Sequence, residues 1–109
     1  MSSKQKGYRT ERKIKLLFQK HGWTVVRAGA SLGIADLICI KNKRCILLQI
    51  KSTNKKTFYY YGYTMPDYEG FGFYLVVDFG YGKIRVLYPK QKVTIHDGND
   101  IEDFLQKHQ

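Results

Sequence analysis

Two apolar runs, ADLICI (35–40) and RCILLQIK (44–51), are separated only by Lys41, Asn42 and Lys43. Strands with one wet face alternate apolar and polar residues, so runs this continuous call for cover on both faces. The short polar gap suits a hairpin and leaves no room for a crossover helix. The rest of the chain can supply the cover. In YRTERKIKLLFQKH (8–21), Ile14, Leu17, Phe18 and His21 share one helical face, and Gly22 supplies the stop. WTVVR (23–27) is a β-branched strand, and AGASLGIA (28–35) a loop of small residues. FYLVVDF (73–79) and KIRVLYP (83–89) form a second hairpin through Gly80 and Gly82. Asn99 or Asp100 caps a last helix to about Lys107, with Ile101, Phe104 and Leu105 inward. The order α-β-β-β, loop, β-β-α predicts an α/β fold: a central mixed sheet flanked by helices.

The 109 residues are enough for a single domain spanning 1–109, and no repeat or linker interrupts them. The apolar stretches fall far short of the roughly 18 residues of a membrane span, and no apolar segment follows the charged N-terminus as in a secretory signal. Cys39 and Cys45 are too few for a disulfide scaffold and lack zinc-site company. These features predict a cytoplasmic protein, nucleoid-associated or virus-encoded, with no membrane partner. The loop 28–35 lacks the GK[ST] of a phosphate-binding loop, which argues against a nucleotide cofactor.

Charge is distributed unevenly. Residues 1–57 hold 14 Lys and Arg against two acids, a net of +12, whereas residues 58–109 hold five against seven, a net of −2. Such a field favours a polyanion, and DNA is the expected partner because Lys and Arg displace the counterions condensed on its phosphates. The two acids in the basic half, Glu11 and Asp36, oppose that attraction unless they hold a cation. Glu11 lies on the apolar face of the first helix with Ile14 and Phe18. With Lys43 near the hairpin centre, facing residues have numbers summing to about 86–87, which sets Asp36 opposite Ile50 or Lys51. Gln49 and Lys51 project from the same face of their strand. A carboxylate, an amide and an ammonium therefore converge at one end of the sheet, within reach of Glu11.

This constellation resembles the PD-(D/E)xK nuclease superfamily, and within it is most similar to the archaeal-type Holliday junction resolvases. The resemblance covers roughly residues 6–52 and lies in KGYRTER (6–12), GWTVVRAGASLG (22–33), IAD (34–36) and LLQIKS (47–52). It implies a restriction-endonuclease-like fold and a Mg²⁺-dependent DNA endonuclease, with Mn²⁺ as an alternative ion, acting as a homodimer. By position it makes Glu11, Asp36 and Gln49 the metal ligands, Lys51 the motif lysine and Ser31 a functional serine of the loop after the first strand. Arg12 and Arg27 match basic DNA-contacting residues, and Lys6, Arg9, Lys55 and Lys56 extend the expected DNA-binding set. The chain departs from the pattern in three places. Ala35 replaces the proline of the motif. Gln49 stands where a carboxylate is usual, as in the Gln-x-Lys sites of methyl-directed restriction endonucleases. Residues 52–72 are short and aromatic where resolvases have a helix.

The chemistry accounts for these residue types. Phosphodiester hydrolysis needs a divalent ion to polarise the phosphoryl oxygen and acidify a water. Mg²⁺ takes hard oxygens, which two carboxylates and an amide carbonyl supply. An ammonium at Lys51 would orient the water or offset charge developing on phosphorus. Plainer roles are open to each: Asp36 as a strand-opening turn residue, Glu11 as a helix-dipole partner, Lys51 as an edge lysine, Gln49 as a polar sheet-end residue, Ser31 as a turn residue. The tyrosines at 59, 60, 61 and 63 suit base stacking, or a strand or dimer contact. The expected function is a structure-selective endonuclease resembling Holliday junction resolvases. The alternatives are a restriction or repair nuclease cutting duplex or flap DNA, and a non-catalytic DNA-binding module with a degenerate site. The charge asymmetry alone predicts that log affinity for DNA falls with log salt at a slope of about −0.9 per phosphate neutralised. Binding titrations at several salt concentrations check this, and a slope near zero would remove the nucleic-acid reading.

Overall fold

The structure, a computed structural model, describes residues 3–29, 33–61, 63 and 65–108. Helix α1 (Ser3–Lys20) begins five residues before the expected start. It ends in a Schellman arrangement: Gly22 has φ +88°, its N–H donates to Gln19 O at 3.0 Å, and the Trp23 N–H donates to Phe18 O at 3.1 Å. Strands β1 (Thr24–Arg27), β2 (Leu37–Lys41) and β3 (Arg44–Ser52) form an antiparallel meander. Then follow β4 (Thr57–Tyr59), β5 (Gly72–Asp78), β6 (Ile84–Leu87), β7 (Lys92–Thr94), the two-residue β8 (Asn99–Asp100) and helix α2 (Ile101–Lys107). Asp100 is the α2 cap, its carboxylate accepting the Glu102 N–H at 3.0 Å.

The main sheet runs in the order β1-β2-β3-β5-β6-β8, and β4 pairs with β7 in a separate two-stranded sheet. It is mixed, as expected, because β3 pairs with β5 in parallel, from Ile46↔Gly72 to Ser52↔Asp78. β3 thus has neighbours on both edges, and Leu47, Leu48 and Gln49 at its middle are buried. Cover differs on the two faces. Ile14 and Phe18 of α1 and Ile101, Phe104 and Leu105 of α2 share one cluster with Leu37, Cys39, Leu48 and Val76. Both helices therefore flank the same face. On the other, Leu75, Val77 and Leu87 pack with Val93 of β7 and with Phe58 and Tyr60 of the β4 segment. The aromatic stretch after β3 thus supplies a small sheet as the cover.

The hairpin register departs from expectation by one step. Lys41 pairs with Arg44 and Leu37 with Leu48, so facing numbers sum to 85. The turn is only Asn42 and Lys43, both with positive φ (50° and 66°), a type I′ geometry; Lys41 belongs to the strand. Of the two cysteines, Cys39 is buried, and burial pushes its thiol up to about 12; Cys45 is only half-buried.

A tight turn closes the far edge of the sheet. The Lys90 ammonium, 2.9 Å from Asp97, holds that carboxyl down to about 2, and the Thr94 N–H donates to it at 2.7 Å. Gly98 follows at φ +68°, where a Cβ would lie 2.4 Å from Val86 O and 2.7 Å from Leu87 Cβ. Gly98→Ala adds left-handed strain to a backbone clash and is expected to cost roughly 2–4 kcal/mol. Urea unfolding checks this, and an unchanged midpoint would show that the turn accommodates a side chain.

Candidate active site

The site forms where the β2–β3 ladder opens. Beyond Leu37 the pairing is taken over by Asp36: its N–H donates to Leu48 O at 2.7 Å, and its Oδ2 accepts the Ile50 N–H at 2.7 Å. Asp36 therefore spans Gln49 and meets Ile50 through its side chain, instead of facing Ile50 or Lys51 in a continued ladder. On its other side, Asp36 O accepts the Ala28 N–H at 3.0 Å. Burial pushes the Asp36 carboxyl above the ordinary carboxylate range. The Ile50 N–H opposes this, the Glu11 charge adds to it, and Lys51 and Arg27 pull it down. Glu11, Arg27 and Lys51 thus all lie within electrostatic reach of Asp36.

The other expected residues fall into three groups. Gln49 is buried at 6% exposure, and its Oε1 accepts a hydrogen bond from the Tyr60 hydroxyl. Lys51, two residues on, is exposed. Glu11 is paired with Arg27, whose Nε donates to its Oε1 at 2.7 Å, while the Arg27 guanidinium lies over the Tyr8 ring. Arg12 lines a small pocket of about 110 Å³ with Tyr8, Glu11, Lys15 and Arg27. Arg9 lines a larger cleft of about 490 Å³ with Lys13, Thr53, Asn54 and Tyr81. Lys55 and Lys56 are exposed in the connection from β3 to β4, and Lys6 belongs to α1. Ser31 lies outside the described residues.

Two features were not anticipated. Tyr60 enters the site from the covering sheet: burial raises its hydroxyl pKa, with Asp36 and Tyr68 adding to the shift and the Gln49 bond opposing it. Asp78, 5% exposed in β5, accepts from Lys13 Nζ at 2.9 Å and from the Gly80 N–H at 2.8 Å. It ties α1 to the sheet beside the lysine strand, since Ser52 pairs with Asp78. The one acid within FYLVVDF was the only sequence signal for it.

Comparison with known proteins decides the family. The sequence profile of the archaeal Holliday junction resolvase (Hjc) family matches residues 2–64. The chain belongs to that family. It is accordingly a resolvase-like DNA endonuclease of a family that hydrolyses phosphodiester bonds with the help of a metal ion. No curated protein matches it. Among solved structures, Hjc of Archaeoglobus fulgidus, described as a Holliday junction resolvase from an archaeal hyperthermophile, superimposes with a TM-score of 0.70 at 15% identity. The match covers 93% of this chain and 96% of that one, so the family fold extends over β5–β8 and α2, beyond the profile match. No helix among the described residues of this resolvase-family chain is long and apolar enough to cross a membrane.

The Arg27–Glu11 pair generates a prediction. A guanidinium held on a carboxylate competes with any divalent cation for it. Arg27→Met is expected to raise divalent-ion affinity about fivefold, the effect of ~1 kcal/mol of removed competition, and to weaken DNA binding. Mn²⁺ and DNA titrations check both. Unchanged Mn²⁺ affinity would show that Glu11 contributes nothing to ion binding.

Proposed function

We propose that this chain is a Mg²⁺-dependent endonuclease selective for branched DNA, one nuclease domain across residues 1–109, working as a homodimer on four-way junctions. Glu11, Asp36 and Gln49 would hold the ion. The observation that carries the reading is the Asp36 carboxylate, held at the end of β2 by the Ile50 N–H, with Glu11, Lys51 and Arg27 all close enough to shift its pKa.

The donors suit a hard divalent cation. Among the described residues no trio of His, Cys, Asp and Glu side chains gathers at one point, and the third donor in this reading is the Gln49 amide oxygen. Mg²⁺ accepts carboxylate and amide oxygens and keeps several waters, so two carboxylates and one amide form an adequate set. Mn²⁺ takes the same hard donors. The raised Asp36 carboxyl supports the reading: burial raises it first, the Glu11 charge adds to this, and a cation beside both carboxylates would offset both effects. When bound, the ion polarises the phosphoryl oxygen and lowers the pKa of an attacking water.

The remaining work falls to the chain. Lys51, exposed beside Asp36, presents an ammonium where negative charge grows on the phosphate, and helps most in the transition state. Arg12 and Arg27 at the Glu11 pocket, Arg9 at the separate larger cleft, the exposed Lys55 and Lys56, and Lys6 of α1 would neutralise backbone phosphates. Ser31, between the β1 and β2 segments in the sequence, is the candidate for a phosphate or metal-water contact. Two matched cuts across a junction need two sites, which a two-fold dimer provides.

The test compares a labelled four-way junction with duplex, flap and single strand, each with Mg²⁺ and with chelator. Junction cleavage only with the ion is expected. Asp36→Asn keeps an acceptor for the Ile50 N–H but removes the charge, and should reduce cleavage by at least about 10²-fold while DNA binding holds or tightens. Wild-type cleavage by that variant would place the chemistry elsewhere, and equal cutting of duplex would favour a restriction or repair nuclease.

A further inference from the structure

Gln49 brings a difficulty that a carboxylate does not have. A carboxylate offers oxygen at either end; a carboxamide offers an oxygen at one end and an NH₂ donor at the other. A cation accepts the first and repels the second. The terminal torsion of glutamine is broad and roughly two-fold, so the chain by itself does not decide which end faces the site. Some neighbour must.

The structure supplies one. The Tyr60 hydroxyl donates to Gln49 Oε1, eleven residues away along the chain. The phenol is held from several directions. Its backbone N–H donates to Gln91 O at 2.8 Å, and its ring meets Phe58 at 6.1 Å and Tyr63 at 5.9 Å, both edge-on. It also packs on the cluster of Leu75, Val77 and Val93. Gln49 is itself buried and set in β3 between β2 and β5, so neither partner moves cheaply. A carbonyl oxygen carries two lone pairs, and accepting from Tyr60 uses one.

We propose that Tyr60 is a positioning residue that fixes the Gln49 carboxamide with its oxygen available to the catalytic cation, making the amide work where a carboxylate is usual. The inference rests on the cation site proposed above. It gives a function to one member of the tyrosine tract: the covering sheet built by residues 57–60 and 92–94 reaches through to the site and orients a ligand. On this proposal Tyr60 acts on the cation through Gln49, and that effect must vanish when residue 49 has an oxygen at both ends.

The experiment is a double-mutant cycle read by direct Mn²⁺ binding to the full chain without DNA, using calorimetry or the electron paramagnetic resonance of free Mn²⁺. Five proteins are compared: wild type, Tyr60→Phe, Gln49→Glu, the Gln49→Glu/Tyr60→Phe double variant and Asp36→Asn, each first shown by thermal melting to be folded. Tyr60→Phe keeps the packed ring and should weaken Mn²⁺ binding about tenfold, the usual effect of removing a group that orients a metal ligand. Gln49→Glu and the double variant should bind alike. Wild-type affinity in Tyr60→Phe, with Asp36→Asn defective, would overturn the inference and leave the cation site standing. An equal loss from Tyr60→Phe in both backgrounds would also overturn it, because Tyr60 would then be acting through packing. Undiminished binding by Asp36→Asn would overturn the cation site, and the role of Tyr60 with it.

Discussion

The bond from the Ile50 N–H to the Asp36 carboxylate joins the fold to the site. It lies where β2 stops pairing as a ladder, and it replaces a backbone acceptor with a charged side chain. A buried N–H left without an acceptor costs on the order of 1–3 kcal/mol, so β3 keeps its course past the end of β2 only if something answers Ile50. Asp36 does so and is thereby fixed beside Gln49 and Lys51. The carboxylate is in turn raised by burial and by Glu11. The strand's need for an acceptor and the site's need for an anion are met by one group, so the catalytic aspartate proposed here cannot be rotated away without exposing a strand end.

The same constraint explains which parts of the architecture were legible. Two uniformly apolar runs around a short polar gap announce a central hairpin, and the periodicity of Ile14, Leu17 and Phe18 announces a helix that covers it. Both signals come from burial, which leaves a clear pattern. The register was off by one because Lys43 takes a left-handed conformation that lysine rarely adopts, making a two-residue turn where the residue types give no Asn-Gly signal. β4, β7 and β8 are two or three residues long, below what alternation can show. The parallel β3–β5 pairing was hidden for another reason: the described residues of its crossover, 53–71, hold no helix and only a short strand among aromatic residues.

At the site, residue types were readable and partnerships were not. Glu11, Asp36, Gln49 and Lys51 stand out because charged and amide groups are conspicuous among apolar neighbours. That Arg27 closes on Glu11, or that Lys13 reaches Asp78 across 65 positions, depends on how α1 is laid over the sheet. These pairs divide the cations of the basic half. Arg27 and Lys13 already face carboxylates, whereas Lys51, Lys55 and Lys56 are exposed. Arg27 joins both groups: it neutralises Glu11, and it lines the pocket that Arg12 and Lys15 share.

This charge balance also bears on why an amide can serve at position 49. Three carboxylates in a partly buried site repel one another and the incoming phosphate. Here burial raises the Asp36 carboxyl and the Glu11 charge adds to it. Replacing the third by an amide removes one anion and keeps a hard oxygen, at the expense of weaker attraction for the cation and an orientation that must be imposed. On the proposal made above, the Tyr60 hydroxyl bond to Gln49 addresses the second. If Gln49 holds the ion as proposed, the aromatic segment after β3 and the amide within β3 are linked through the Tyr60–Gln49 bond. An amide here without Tyr60 would leave its orientation unset, whereas a carboxylate here would need no such partner.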